Sequence, residues 1–134
     1  MVLSLAHIKS SKDDLFRKLK SQGDFVFDEQ VADVFDDMVV RSIPGYEAIV
    51  STIGDFAKKY YRSNSNIYDL GCSLGGVTFE ICKKLGESDF NLIAIDNSEA
   101  MIERLVERKA IIGGLENSVE IICEDINNAT FFSE

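Results

Sequence analysis

The sequence predicts an α/β domain in which amphipathic helices lead into a three-stranded parallel β-α-β-α-β unit. Three observations predict it. Apolar residues recur at helical spacing up to about residue 62, and beyond it they cluster into short strand-like runs. Those runs alternate with stretches of helix length, the pattern of a parallel sheet with helices over both faces. A glycine-rich turn, DLGCSLGG from Asp69 to Gly76, then lies between the first short run and the next helix. Open α/β sheets bind ligands at that end of their strands.

The elements follow in order. Residues 1–24 are polar and mixed in sign, and they are expected to form a partly mobile extension. Within it, Ser10 and Ser11 are cap candidates for a short helix from Lys12 to Lys20. The domain proper is expected over residues 25–134. A helix is predicted from about Asp28 to Val40, with Val31, Val34, Phe35, Met38 and Val39 on one face. Pro44 ends that run and suits the start of the next helix, because its missing N–H costs nothing there. Tyr46, Ile49, Val50, Ile53, Phe56, Ala57 and Tyr60 form the second apolar stripe. Asn66 to Leu70 reads as a strand, and Gly76 to Leu85 as a helix stopped by Gly86. Asn91 to Ile95 is the second strand, ending at Asp96. Ser98 caps a helix through Arg108 or slightly beyond, with Glu99 in its first turn where negative charge suits the dipole. After Gly113-Gly114, Val119 to Cys123 is the third strand, ending at Glu124-Asp125.

Composition bounds the function. The 134 residues suffice for one core, with 46% hydrophobic and 28% charged residues, the balance of a globular domain. No run reaches the roughly 18 apolar residues of a membrane span. The opening MVLSLAHIKSS has too short an apolar stretch, and no basic residue before it, for a secretory signal. A formal charge of −9 argues against direct nucleic-acid binding, which needs clustered Lys and Arg. The three cysteines, Cys72, Cys82 and Cys123, fit reduced thiols in the cytoplasm better than a disulfide scaffold or zinc site. His7, the sole histidine, leaves no basis for a histidine-dependent triad, and no metal site is expected.

The chemistry gathers in DLGCSLGG. A turn this tight needs glycine, and so does a ligand approaching the main chain closely. Asp69 stands two residues before Gly71, where its charge repels a pyrophosphate but suits a cationic ligand, such as the ammonium and sulfonium of S-adenosylmethionine. A tight turn with no ligand is the alternative. Asp96 lies 20 residues past Gly76, in place to accept from both hydroxyls of a ribose, or simply to favour a helix N-terminus. Asn97 reads as a cap or an adenine-edge contact. Asp125 suits an adenine amino group with Ile126 against the ring, or else it is a solvated loop acid. Cys72 reads as a small residue fitted to the turn. Arg41 reads as a helix-end cation offsetting the dipole, with pairing to a ligand or substrate carboxylate as the alternative. No catalytic base stands out.

DLGCSLGG, IAIDNSEAMIER (Ile93 to Arg104) and FDEQVADVFDDMVVRSIPGY (Phe27 to Tyr46) closely resemble the carboxy-S-adenosyl-L-methionine synthase family. The resemblance covers about residues 24–126 and implies a Rossmann-like class I methyltransferase fold, of which this chain would be the N-terminal portion. It also implies that Tyr46, Gly71, Cys72, Ser73, Asp96, Asn97, Asp125 and Ile126 contact S-adenosyl-L-methionine. From composition alone, Tyr46 would be a core aromatic. The implied reaction converts S-adenosyl-L-methionine and prephenate to carboxy-S-adenosyl-L-methionine and phenylpyruvate, with prephenate's lost carboxyl captured by the sulfonium methyl carbon. A partner enzyme would use the product on a tRNA wobble uridine, and the full-length family would be homodimeric. The family continues for about as long again, with a fourth strand beside the first, so the Asn66–Leu70 strand is expected to be a bare edge here. An ordinary S-adenosylmethionine-dependent methyltransferase would share Asp69, Gly71 and Asp96. An inactive cofactor-binding fragment is the third reading.

Overall fold

The computed structural model describes residues 28–115 and 118–128. The expected extension over residues 1–24, its helix from Lys12 to Lys20 and His7 lie outside the described residues.

Helix α1 spans Glu29–Ser42. Asp28 is its cap rather than its first residue, with Oδ1 accepting from the Val31 N–H at 3.0 Å. Pro44 lies in the turn between helices, and Gly45, at φ +73°, supplies the left-handed residue before α2, Tyr46–Tyr60. The apolar stripe of α2 is only partly used. Gly54 alone is buried, whereas Ile49, Ile53, Phe56 and Tyr60 are exposed. Gly54 is where α2 meets the next helix: a Cβ there would lie 2.9 Å from Lys84 Cγ.

Strand β1 is Asn66–Leu70, α3 is Gly76–Leu85, β2 is Asn91–Asp96 and α4 is Glu99–Ile112. Strand β3, Val119–Cys123, leads to a 3₁₀ turn over Ile126–Asn128. Helix α4 runs four residues past Arg108 before Gly113 closes it, and Ser98 Oγ caps it by accepting from the Met101 N–H at 3.2 Å.

Among the described residues the sheet is parallel in the order β1-β2-β3, with β1 at an edge. Leu92, Ala94 and Ile95 of the central strand are fully buried. Leu92 and Ala94 share a core with Ile81, Cys82 and Leu85 of α3, Leu105 of α4 and Val119 of β3. Burying one such Leu or Ile side chain contributes about 1.5–3 kcal/mol. A sheet covered on both faces was expected; Ile93 and Ile95 on the far face are buried, and both crossover helices lie on this one face. The strands are laid down in one direction, and right-handed connections then fall on the same side. Ile93 and Ile95 point the other way and join neither core cluster.

Helix α1 packs across α4 through Val31, Ala32 and Met101, with Leu74 of the glycine loop between them. Arg104 pairs with Asp33 at 2.9 Å, and Arg108 pairs with Asp36 one turn on. No described helix is long and apolar enough to cross a membrane.

Candidate functional site

The loop after β1 is shaped by three residues of positive φ: Gly71 at 78°, Ser73 at 50° and Gly75 at 81°. The N–H groups of Gly71 and Cys72 both donate to the Ile95 carbonyl, at 2.8 and 3.0 Å, so the loop prolongs the sheet past Leu70. The glycines serve different ends. A Cβ on Gly75 would lie 2.3 Å from Leu105 Cδ1, so α4 can approach only glycine. A Cβ on Gly71 would have nothing within 4 Å, so the chain there faces open space.

Asp96, at the end of β2, has both oxygens engaged. Oδ2 accepts from the Ser73 N–H and Oδ1 from the Ser98 N–H, each at 2.9 Å. Its carboxylate therefore joins the glycine loop to the first turn of α4. Beside it is a cavity of about 140 Å³, lined by Gly71, Asp96, Asn97, Glu124, Asp125 and Ile126. Glu124 is fixed there because its N–H donates to the Asp96 carbonyl at 3.0 Å, one step beyond β3. Asp125 Oδ1 accepts from the N–H and the side-chain amide of Asn127, both at 2.8 Å, and so builds the turn that presents Ile126.

The structure thus brings Gly71, Asp96, Asn97, Asp125 and Ile126 to one cavity, and Asp69, Cys72, Ser73 and Tyr46 do not line it. Asp69 turns toward α3, where its Oδ2 accepts from Thr78 Oγ1 at 2.6 Å. Burial pushes the Asp69 carboxyl above its ordinary range, Thr78's hydroxyl and N–H oppose this, and nearby Asp96 adds to the rise. Cys72 is buried, and burial followed by Asp69 and Asp96 pushes its thiol up to about 12, so it is no nucleophile at neutral pH. Ser73 acts through its backbone. Tyr46 begins α2 with its hydroxyl over the start of α3, 2.9 Å from where a Cβ on Gly76 would be. Burial, then Asp36 and Asp69, raises its pKa. Arg41 lies in the last turn of α1 and pairs with Asp37 at 3.5 Å, away from the cavity.

Glu124 is the lining residue that the sequence reading left out. Its signal was present in its place at the strand's end, but Asp125 beside it drew the assignment. The cavity has three carboxylates and no Lys or Arg among its lining residues. Such walls accept hydrogen bonds and favour hydroxyls, amines and cations while repelling phosphate. No group of three or more His, Cys, Asp or Glu side chains fit to hold a metal occurs among the described residues.

No family model matches the sequence. Curated relatives do, over 90% of this chain. A carboxy-S-adenosyl-L-methionine synthase of Shewanella piezotolerans is 48% identical over 122 residues, covering 90% of this chain and 50% of the relative. That of Shewanella pealeana is 49% identical with the same coverage. The protein of that name from Pseudoalteromonas atlantica is 45% identical over 121 residues, 90% of this chain and 49% of the relative. The chain therefore spans about half the length of the curated relatives it matches. Among solved structures, a Methanococcus maripaludis protein described as an S-adenosyl-L-methionine-dependent methyltransferase superposes with TM-score 0.62 at 19% identity, over 81% of this chain and 47% of that one. Magnesium protoporphyrin IX methyltransferase from Synechocystis, solved with S-adenosylmethionine, superposes with TM-score 0.53 at 17% identity, over 92% and 53%. At such identities they establish the fold, a Rossmann-like class I methyltransferase fold of which helices and three parallel strands are present here. By sequence, the chain is similar to the carboxy-S-adenosyl-L-methionine synthases over 90% of its own length and about half of theirs.

Proposed function

We propose that this chain carries the S-adenosyl-L-methionine site of a carboxy-S-adenosyl-L-methionine synthase. The observation that carries the reading is 45–49% identity to relatives of that name over 90% of the chain. The geometry supports it. Asp96, held by two N–H groups, keeps lone pairs for ribose hydroxyls, while Asp125 and Ile126 offer an acceptor and an apolar wall to adenine. The Gly71 and Cys72 N–H groups are already bonded to Ile95, so the loop would meet the ligand by close approach at Gly71 and through carbonyls. Asp69 contributes negative charge from beneath that loop, and the Tyr46 hydroxyl stands over the start of α3. A cavity of about 140 Å³ is smaller than the roughly 300–1,000 Å³ of complete ligand sites, and so suits part of such a nucleoside.

S-adenosyl-L-methionine supplies a sulfonium-activated methyl carbon, and prephenate the carboxyl group. This chain's residues bind and orient the nucleoside; no lining residue is placed as a strong base, so exclusion of water would matter most. We assign residues 25–134 to the binding domain and residues 1–24 to its extension. We further propose a cytoplasmic homodimer whose product serves tRNA wobble uridine modification, without direct nucleic-acid contact.

Calorimetry tests binding of S-adenosyl-L-methionine and S-adenosylhomocysteine to this chain. A chimera joining these residues to the remainder of the Shewanella relative, incubated with S-adenosyl-L-methionine and prephenate, tests turnover. Phenylpyruvate and a nucleoside heavier by one carboxyl group are expected by mass spectrometry. Uptake of plain S-adenosyl-L-methionine without phenylpyruvate would favour an ordinary methyltransferase or a binding-only chain instead.

A further inference from the structure

We infer that Arg108 is a positioning residue for the cavity: its guanidinium holds the glycine loop in the shape that presents Asp96. The inference rests on the cavity's being the S-adenosyl-L-methionine site. Arg108, on α4, divides its donors. Nη1 donates to the Leu74 carbonyl at 3.3 Å, and Nη2 donates to the Asp36 carboxylate of α1. A planar guanidinium suits this because its donors diverge at fixed angles.

The peptide it grips is the critical one in the loop. The Leu74 carbonyl is held by Arg108, and the next N–H, that of Gly75, donates to the Cys72 carbonyl at 2.8 Å. The Leu74–Gly75 peptide plane is therefore fixed at both ends. One residue earlier, across Leu74, is Ser73, one of two non-glycine residues of positive φ among those described. A residue with a Cβ keeps that conformation only where its surroundings enforce it. On one side Ser73 is held by its N–H on Asp96 Oδ2 at 2.9 Å, and on the other it leads through Leu74, itself buried, into the peptide that Arg108 fixes. The chain of contacts runs from Arg108 through Leu74 and Ser73 to the carboxylate lining the cavity.

The molecule contains its own control. Arg104, one turn earlier on α4, bridges to Asp33 of α1 and has nearly the same side-chain exposure, 39% against 38% for Arg108. The bonds described for Arg104 go to Asp33 and Glu107, and none to the loop. Pairs this exposed contribute little to stability, so losing either should leave the protein folded. Met keeps the apolar stem of the side chain and removes its donors.

The experiment compares Arg108→Met and Arg104→Met by exchange of the Ser73 amide hydrogen in NMR and by calorimetric titration with S-adenosylhomocysteine, below both melting midpoints. Arg108→Met should exchange Ser73 faster and bind more weakly, each by roughly five- to tenfold, the loss of one hydrogen bond of ordinary net strength, in keeping with its 3.3 Å length. Arg104→Met should stay within about twofold of wild type in both, as expected of an exposed pair. Equal effects of the two substitutions, or wild-type exchange at Ser73 in Arg108→Met, would overturn the inference. Failure of the wild-type chain to bind would instead count against the ligand reading, with Ser73 exchange still deciding whether Arg108 holds the loop.

Discussion

Replacing Gly75 by alanine, beside the same change at Gly71, separates two reasons for glycine in one loop. Both residues have left-handed backbones, φ 81° and 78°. Each substitution therefore carries the conformational penalty of about 1–2 kcal/mol for an L-residue in that region. Only at Gly75 does the new methyl collide, at 2.3 Å from Leu105 Cδ1 and 2.9 Å from Phe79 Cε2. Leu105 is fully buried, with little room to yield, so overpacking adds about 1–3 kcal/mol. Gly75→Ala should thus lose roughly 2–5 kcal/mol in all, and Gly71→Ala only the first 1–2 kcal/mol. Urea unfolding followed by circular dichroism reads the difference: at a slope of about 1–3 kcal/mol per molar, the Gly75→Ala midpoint falls by roughly a further 1 M. Affinity for S-adenosylhomocysteine should show the reverse ranking per unit of stability lost, since the Gly71 methyl enters the space beside the cavity. Equal midpoints for the two variants would refute the assignment of Gly75 to helix packing.

Three further outcomes are expected. Asp96→Asn replaces one acceptor with a donor facing the Ser73 or Ser98 N–H, and should weaken S-adenosylhomocysteine binding roughly 10- to 100-fold in calorimetry; unchanged affinity would remove Asp96 from the site. Burial raises the Asp69 pKa above its ordinary 3.8, so the folded state holds this proton more tightly than the unfolded chain. The group's penalty is relieved below 3.8 and is restored as pH rises through the raised folded value, so wild type should lose stability relative to Asp69→Asn across that window, and an opposite slope in thermal melts would refute the burial argument. Alkylation with iodoacetamide near neutral pH should label exposed Cys123 ahead of buried Cys72 and Cys82, whose thiols are pushed up to about 12 and about 11; peptide mass spectrometry showing Cys72 labelled first would contradict its burial.

Much of this was legible because the signals were local. Asp28, Ser98 and Gly86 mark helix ends through bonds that span a few residues, and period alone placed the three strands. What failed was long-range. The stripe on α2 reads as one buried face, yet only Gly54 is buried, because the close approach of α3 depends on a missing side chain rather than on an apolar one. Both crossover helices fall on one face because of strand order, which no single segment encodes. Glu124 reached the cavity through its N–H on the Asp96 carbonyl, a register effect between distant strands.

Register also explains why acids at successive strand ends do different work. Asp69 pairs with Ala94, two positions before Asp96 on the neighbouring strand. Its loop still follows the sheet for two residues, with Gly71 and Cys72 both bonded to Ile95. Asp69 therefore lies below the rim on the helix-bearing face, where Thr78 is the nearest donor. Asp96 faces the same side but stands at the rim, where the loop and the start of α4 each supply an N–H. A ligand in the cavity would meet Asp96 through direct hydrogen bonds and Asp69 only through its field. It follows that removing Asp69's charge should cost affinity for the cationic S-adenosyl-L-methionine more than for neutral-sulfur S-adenosylhomocysteine, whereas removing Asp96 should cost both alike.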